Sequence, residues 1–371
     1  SVTGIKGYIF IMKYNTVAKG LITALGICSS FISVQAQERT YEIWSSKPAP
    51  NTGPNWEKVV SRGYPFDGDW ERWSYPIGNG YVGANIFGGL KTDRIQITEK
   101  TLHNKGCYNT GGLTSFAELY LDFDHDKATN YRRAINLNDA IASVSYQVGK
   151  VRYFREYFAS YPDNIIGIQL KADTKGALSF AVRPTIPYLD KKERTGNVSV
   201  KENLITLKGT MPFFSINYEG QIKVINQGGR LEPDEKNGTI KIVGADSVIL
   251  WFATGTNYRL APRVFTNKPE EKLDPDEFPH EDVTARIATA SSKGYDAMKK
   301  RHLDDYHRLF NRVKVNLNSA PSSLETTDLL KQYKGKGKKD TWLEELFFQY
   351  GRYLLSASCL LYTSPSPRDH G

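Results

Sequence analysis

A chain of 371 residues that is 40% hydrophobic and 12% aromatic has ample apolar material for a core, which excludes a disordered polypeptide and allows two or three domains. The net charge of +9 would suit a polyanionic partner. However, Lys331, Lys334, Lys336, Lys338 and Lys339 fall in one Gly-spaced run, KQYKGKGKK, with no basic helix interleaved with aromatics, so the run reads as a solvated linker and nucleic acid is not an expected partner.

The first signal along the chain is a leader. Met12-Lys13 opens a basic start, residues 21–34 are apolar but too short to span a bilayer as a helix, and Val34-Gln35-Ala36 has the small-residue pattern of a signal-peptidase site. Residues 12–36 are therefore expected to be a signal peptide cleaved after Ala36, and residues 1–11 upstream read-through. The mature protein is expected to be secreted or periplasmic, with no membrane association after cleavage. Ile27 stands where a lipid-modification box needs a small residue, so lipidation of Cys28 is not expected. Cys107 is then alone between the leader and Cys359, which excludes an internal disulfide framework.

Residues 41–73 mix Pro48, Pro50, Pro54 and Pro65 with Trp44, Trp56, Trp70 and Trp73, as expected of an irregular lead-in crossing a β surface with its tryptophans as packing anchors. The chain is organised around residues 70–102. There Gly78, Gly80, Gly83, Gly88 and Gly89 interrupt apolar positions and predict short strands in close approach, and residues 93–98 alternate as a strand. Gly78-Asn-Gly80-Tyr-Val-Gly83 is a literal GxGxxG, but it lacks the preceding apolar strand and following helix of a dinucleotide fingerprint, so nucleotide binding is not expected.

Asp122-Phe-Asp124-His-Asp126 resembles the head of a calcium loop, but Lys127 replaces the turn glycine and Arg133 stands at the position of the bidentate glutamate. A strand end with acids on a wet face is the better reading, and no metal is expected. Period-two alternation then predicts strands over 141–148, 151–158, 165–170, 177–183, 197–207, 215–218, 221–226, 239–243 and 248–254. Gly149-Lys150 suits a type II′ hairpin between the first two. A train of strands without intervening helices predicts a large antiparallel sandwich.

The period becomes helical near Glu281, after Pro279, through Val283, Ile287, Tyr295, Met298, His302, Tyr306 and Phe310. His302 and His307 are five apart, do not share a helix face, and read as surface or capping residues. Residues 341–358 predict a last helix whose broad stripe (Leu343, Leu346, Phe347, Tyr350, Leu354, Ala357) wants helical neighbours, with Thr341 as cap and Glu344 three residues on.

These blocks carry a specific resemblance. Pro76-Ile-Gly-Asn-Gly-Tyr-Val-Gly-Ala84, Arg94-Ile-Gln-Ile-Thr-Glu-Lys-Thr-Leu102, Leu119-Tyr-Leu-Asp-Phe123, Asn130-Tyr-Arg-Arg133, Ala142-Ser-Val-Ser-Tyr146, Arg155-Glu-Tyr-Phe-Ala-Ser-Tyr-Pro162, Asp305-Tyr306, Leu309-Phe-Asn-Arg312 and Phe348-Gln-Tyr-Gly-Arg-Tyr-Leu354 resemble the N-terminal part of glycoside hydrolase family 95, the inverting α-L-fucosidases with some α-L-galactosidases. The resemblance covers roughly residues 41–358. One departure is Thr98-Glu-Lys-Thr-Leu-His103 where the family has Asn-Glu-Asp-Thr-Leu-Trp, which bears on the choice of sugar.

The resemblance implies a mainly β fold: a large antiparallel β-sandwich (super-sandwich) over 37–278, a helical linker over 279–340, and the first helix of an (α/α)₆ barrel over 341–358. Residues 359–371 resemble translated adapter sequence and are expected to be foreign. The family's general acid and water-positioning residues lie further into the barrel, and no position here matches them, so no catalytic residue is assigned and the fragment is expected to be inactive. The implied substrate is an oligosaccharide or glycan ending in α-L-fucose, with no cofactor. Trp73, Asn79, Glu99 and His103 are the candidate substrate-binding residues, expected at the sandwich edge facing the barrel; the alternative for Asn79 is a tight turn alone. The acids Asp67, Asp69, Asp93 and Glu99 are not expected to be catalytic, since inversion needs two carboxyls about 6.5 to 9.5 Å apart across a pocket. A stand-alone carbohydrate-binding or interaction module on Trp44, Trp56, Trp70 or Trp73 is the alternative function.

Overall fold

The computed structural model describes residues 39–333 and 340–358, apart from 52, 54, 62–63, 106–111 and 190–191, with backbone alone for 55–61 and 64–66. The expected leader, Cys28, Cys107, the Trp56 side chain, most of the lysine run and the segment from Cys359 lie outside the described residues.

In chain order the elements are β1 (Glu42–Ser45), β2 (Asn55–Ser61), β3 (Tyr64–Phe66), α1 (Asp69–Trp73), β4 (Tyr75–Gly78), β5 (Val82–Ile86), β6 (Thr92–Asn104), β7 (Gly112–Phe123), β8 (Thr129–Asn136), β9 (Ile141–Val148), β10 (Val151–Ser160), β11 (Ile165–Ala172) and β12 (Leu178–Thr185). They continue with β13 (Thr195–Lys201), β14 (Leu204–Met211), β15 (Ile216–Gln227), β16 (Arg230–Asp234), β17 (Thr239–Ala245), β18 (Ser247–Thr256), α2 (Arg263–Thr266), α3 (His280–Lys293), α4 (Tyr295–Phe310), α5 (Thr326–Gln332) and α6 (Thr341–Ser358).

Among the described residues the strands form two large antiparallel sheets. One runs β1-β8-β9-β10-β11-β18-β15-β14-β13 and the other β16-β17-β12-β7-β6-β5-β4, with β2-β3 a separate ribbon. Between the sheets lie alternate residues such as Ile95, Ile97, Leu119, Leu121, Tyr157 and Phe252, all buried in one continuous core. Part of the outer face of the nine-stranded sheet is apolar too. Phe158, Ile165, Trp251 and Ala253 pack against Val283, Ile287, Tyr295 and Met298 of α3 and α4. That is why β11 and β18 read as nearly continuous apolar runs: both of their faces are covered.

The mainly β sandwich with helices is as expected, with local corrections. Residues 197–207 are two strands, because Glu202, in the left-handed region at φ 54°, turns the chain without a Gly or Pro to mark it. Conversely, the two strands expected over 215–218 and 221–226 form one strand, β15, that runs from Ile216 across Gly220. A Cβ there would stand 2.8 Å from the Phe116 ring and 3.0 Å from the Phe252 ring, so this glycine makes room for packing and not for a turn. Gly149 does turn the β9-β10 hairpin, at φ 59°.

His302 is buried, not a surface residue. It sits between Phe158 and Tyr306, and its Nε2–H donates to the Asp139 carbonyl at 2.8 Å; burial lowers its pKa. His307 is partly exposed beside Asp139 Oδ1 at 2.8 Å.

The cap of α6 is Asp340, whose Oδ1 accepts from Leu343 N–H at 3.0 Å, and not Thr341. The buried face of α6 is rotated from the expected stripe: Trp342, Leu343, Glu345, Leu346, Gln349 and Tyr353 are buried, while Phe347 and Leu355 are 75% and 70% exposed. The neighbours of α6 here are the sandwich and α4, and those surfaces admit polar groups such as Glu345 and Gln349.

Candidate functional site

The GxGxxG segment folds as the β4-β5 hairpin, with Gly78 paired to Gly83. Asn79 sits at its tip, buried, with both ends of its amide committed. Its Oδ1 accepts from Tyr81 and Val82 N–H at 2.9 and 2.8 Å, and its Nδ2 donates to the Ser160 carbonyl at 2.8 Å and Asn164 Oδ1 at 3.3 Å. The tight turn accounts for the two bonds to Oδ1, whereas the two from Nδ2 tie the hairpin tip to the end of β10 and the turn after it.

The hairpin also holds the last turn of α6. Gly80 N–H donates to the Ala357 carbonyl at 2.8 Å, and the Tyr353 hydroxyl donates to the Pro76 carbonyl at 2.6 Å. Carbonyls in the last turn of a helix have no partner within it, so a backbone donor from the hairpin is a natural cap.

Glu99 on β6 lies beside the hairpin, opposite Val82, and is fully buried. Burial raises its pKa, against the donors Thr101 (N–H at 2.9 Å and hydroxyl at 2.8 Å), Tyr81 and the Leu102 N–H. Burial likewise raises Tyr81 and lowers Arg286 of α3, which donates to the carbonyls of Asn164 and Thr254 at 3.2 and 2.9 Å. A buried carboxyl with raised pKa beside a tyrosine can hold a proton, as general acids must. With no solvent-accessible surface, Glu99 cannot deliver that proton to a bound sugar in this arrangement.

The structure thus brings Asn79 and Glu99 together through Tyr81 and leaves the other two candidates apart. His103 lies four residues further along β6, opposite Leu113, partly buried and with its pKa lowered by burial. Trp73 ends α1, is 38% exposed, and its carbonyl accepts from Arg133. Trp70 is 42% exposed, so these two indoles are not the packing anchors expected of them.

Of the other candidate acids, Asp67 and Asp93 are engaged with cations. Asp67 and Glu118 accept from Arg94. Asp93 is buried with Arg155 at 3.1 Å, Tyr157 at 2.6 Å and the N–H groups of Gly88 and Gly89. A buried carboxylate on α6, Glu345, was not singled out by sequence reasoning. A charged side chain at a position flanked by Trp342, Leu346 and Gln349 on the inward face was the available signal.

Family models match two parts of the chain. "Glycosyl hydrolase family 65, N-terminal domain" covers residues 100–261, from within β6 through β18, and "Glycosyl hydrolase family 95 catalytic domain" covers residues 294–366, from the break between α3 and α4. Together with a two-sheet sandwich carrying a helical layer, these matches place the chain among the glycoside hydrolase families.

Alpha-L-fucosidase 2 of Arabidopsis thaliana is 30% identical over 359 residues, covering 79% of this chain and 41% of that protein. Probable alpha-fucosidase A of Aspergillus niger (strain ATCC MYA-4892 / CBS 513.88 / FGSC A1513) is 31% identical, covering 67% and 31%, and its namesake from Aspergillus oryzae (strain ATCC 42149 / RIB 40) 24%, covering 85% and 47%. The chain belongs to glycoside hydrolase family 95 and spans less than half the length of these relatives.

Proposed function

We propose that the chain is the sandwich-bearing part of a secreted exo-glycosidase that removes terminal α-L-fucose, or the related α-L-galactose, from oligosaccharides or glycans with inversion at the anomeric carbon. The observation that carries this reading is the 30% identity over 359 residues with a protein named alpha-L-fucosidase 2, continuing through a match to the family 95 catalytic domain. Secretion rests on the leader over residues 12–36.

The chemistry is assigned to barrel residues beyond those described. Inversion requires an acid and a base facing each other across a pocket wide enough for sugar and water. Asp67, Asp93 and Glu99 are instead spent on Arg94, on Arg155, and on Thr101 with Tyr81. In this reading the sandwich supports the barrel, and the chain by itself does not turn over.

The test incubates an aryl α-L-fucoside and a 2′-fucosylated oligosaccharide with the 371-residue chain and with a form extended through the barrel, with the anomer followed by NMR. Release of the β-anomer by the extended form alone is expected, because loss of general acid catalysis alone costs about 10² to 10⁴ in rate. Turnover by the 371-residue chain that disappears in Asp67→Asn or Glu99→Gln would overturn the assignment. Release of a different sugar by the extended form would overturn the substrate.

A further inference from the structure

A cavity of about 270 Å³ opens at the edge of the nine-stranded sheet, away from the hairpin, where β1 and β8 meet the segment leading into α5. Its walls are Glu42 and Trp44 of β1, Arg132 of β8, Ser322 and Ser323 of the linker, and Trp342 of α6. The linker is tied down there. Trp44 N–H donates to the Thr326 hydroxyl at 3.1 Å, and the Ser45 hydroxyl donates to Glu325 at 3.2 Å.

The lining has a definite chemistry. Arg132 lies 5.0 Å from the centroid of the Trp44 ring and pairs with Glu42 at 2.7 Å, which fixes the indole and both charged groups in one arrangement. That pair uses Glu42 Oε2 and Arg132 Nη2, so the second carboxylate oxygen and the other guanidinium nitrogens retain hydrogen-bonding capacity. Both side chains reach solvent, at 32% and 38% exposure. Trp342, stacked on Tyr41 at 5.6 Å, gives the cavity a rigid apolar wall.

An anion would meet Glu42 and a cation would meet Arg132. A neutral, hydroxyl-rich ligand is suited to both, since vicinal hydroxyls donate to a carboxylate and accept from a guanidinium while C–H faces pack on an indole. The volume lies just below the range of drug-sized ligand cavities, which begins near roughly 300 Å³, and suits one ring rather than an extended chain. We propose that this cavity is a saccharide-binding site that takes one neutral sugar residue of a glycan. The site does not depend on turnover. Only the inclusion of fucosylated sugars among the probes rests on the function proposed above.

The test is saturation-transfer difference NMR on the 371-residue chain with methyl β-galactoside, methyl α-L-fucoside and 2′-fucosyllactose, with a sialylated lactose as the charged comparison. Saturable binding of at least one neutral saccharide is expected. It should weaken at least 10-fold in Trp44→Ala and in Arg132→Met, and remain within 2-fold in Phe154→Ala on another part of the sheet.

Should Trp44→Ala fail to fold, Ser323→Phe, which fills the cavity from an exposed loop, should abolish binding while keeping the melting temperature. No saturable binding to the folded chain, unchanged binding in Ser323→Phe, or stronger binding of the sialylated sugar would overturn the proposal. The fucoside hydrolysis assay is read independently, so either conclusion can fail without the other.

Discussion

The hydroxyl of Tyr41 donates to Glu345 Oε1 at 2.5 Å across a sequence separation of 304 residues, and so ties the start of the sandwich to α6. The same carboxylate accepts from Arg39 at 2.7 Å, the Ser319 hydroxyl at 2.9 Å and Leu317 N–H at 3.0 Å. Three segments distant in the sequence therefore converge on one buried charge. Removing it leaves several donors without an acceptor, which makes Glu345 a joint between the sandwich, the linker and the helix.

Burial raises the Glu345 pKa, but these donors outweigh it and hold the group below its ordinary 4.5. A carboxyl depressed on folding contributes stability that is present above its unfolded pKa and lost as pH falls through the folded one. Glu345→Ala is expected to cost about 3 kcal/mol near neutral pH. The gap from the parent should narrow below pH 4.5 in urea unfolding. A gap that persists undiminished in acid would contradict the role of the charge.

Two glycines, one facing α6 and one within it, should respond in opposite directions. A Cβ on Gly78 would stand 2.8 Å from the Ala357 carbonyl, so Gly78→Ala pushes α6 off the hairpin and should destabilise by about 1 to 3 kcal/mol. Gly351, inside α6, has nothing within 4 Å, and Gly351→Ala should stabilise by about 0.8 kcal/mol through helix propensity. Thermal melts of the two variants check both signs.

The Asp93–Arg155 pair is buried on both sides between the sheets. Asp93→Ala strands a cation and is expected to cost about 3 to 5 kcal/mol, whereas replacing both partners with apolar residues of similar volume should recover much of the loss. A double-mutant cycle in guanidinium measures the coupling. Near-additive single losses would show that the pair is not the unit of stabilisation.

Deleting α6 is no route to better solubility, because Trp342, Leu343 and Leu346 cover the sandwich core. Phe347 and Leu355, at 75% and 70% exposure, are the liability. Phe347→Ser with Leu355→Ser should raise the soluble fraction on expression, and truncation before Thr341 should lower it. The opposite order would place the packing face of α6 elsewhere.

His103 is partly buried on β6 and, among the described residues, makes no joint between elements comparable to Glu345. If the extended form hydrolyses fucosides as proposed, His103→Ala is expected to lower its kcat/KM while shifting the melting temperature little. Loss of stability with kcat/KM retained would assign His103 to packing.

Short-range chemistry was legible along the chain. Period-two alternation located most strands, the Gly149 hairpin followed from turn stereochemistry, and Pro76 with Gly88-Gly89 ruled out a dinucleotide loop that the structure replaces with a hairpin. Such signals are local, carried by a few residues and their backbone preferences. The tertiary structure alone decided that Gly220 lies inside a strand, that His302 is buried, and that α6 turns Glu345 inward to meet Tyr41. Each depends on what arrives from far away in the sequence: the Phe116 ring, the Asp139 carbonyl, the Arg39 guanidinium. A buried charge is tolerated only where distant partners satisfy it, so its position follows from the assembled fold and not from the periodicity of its own helix.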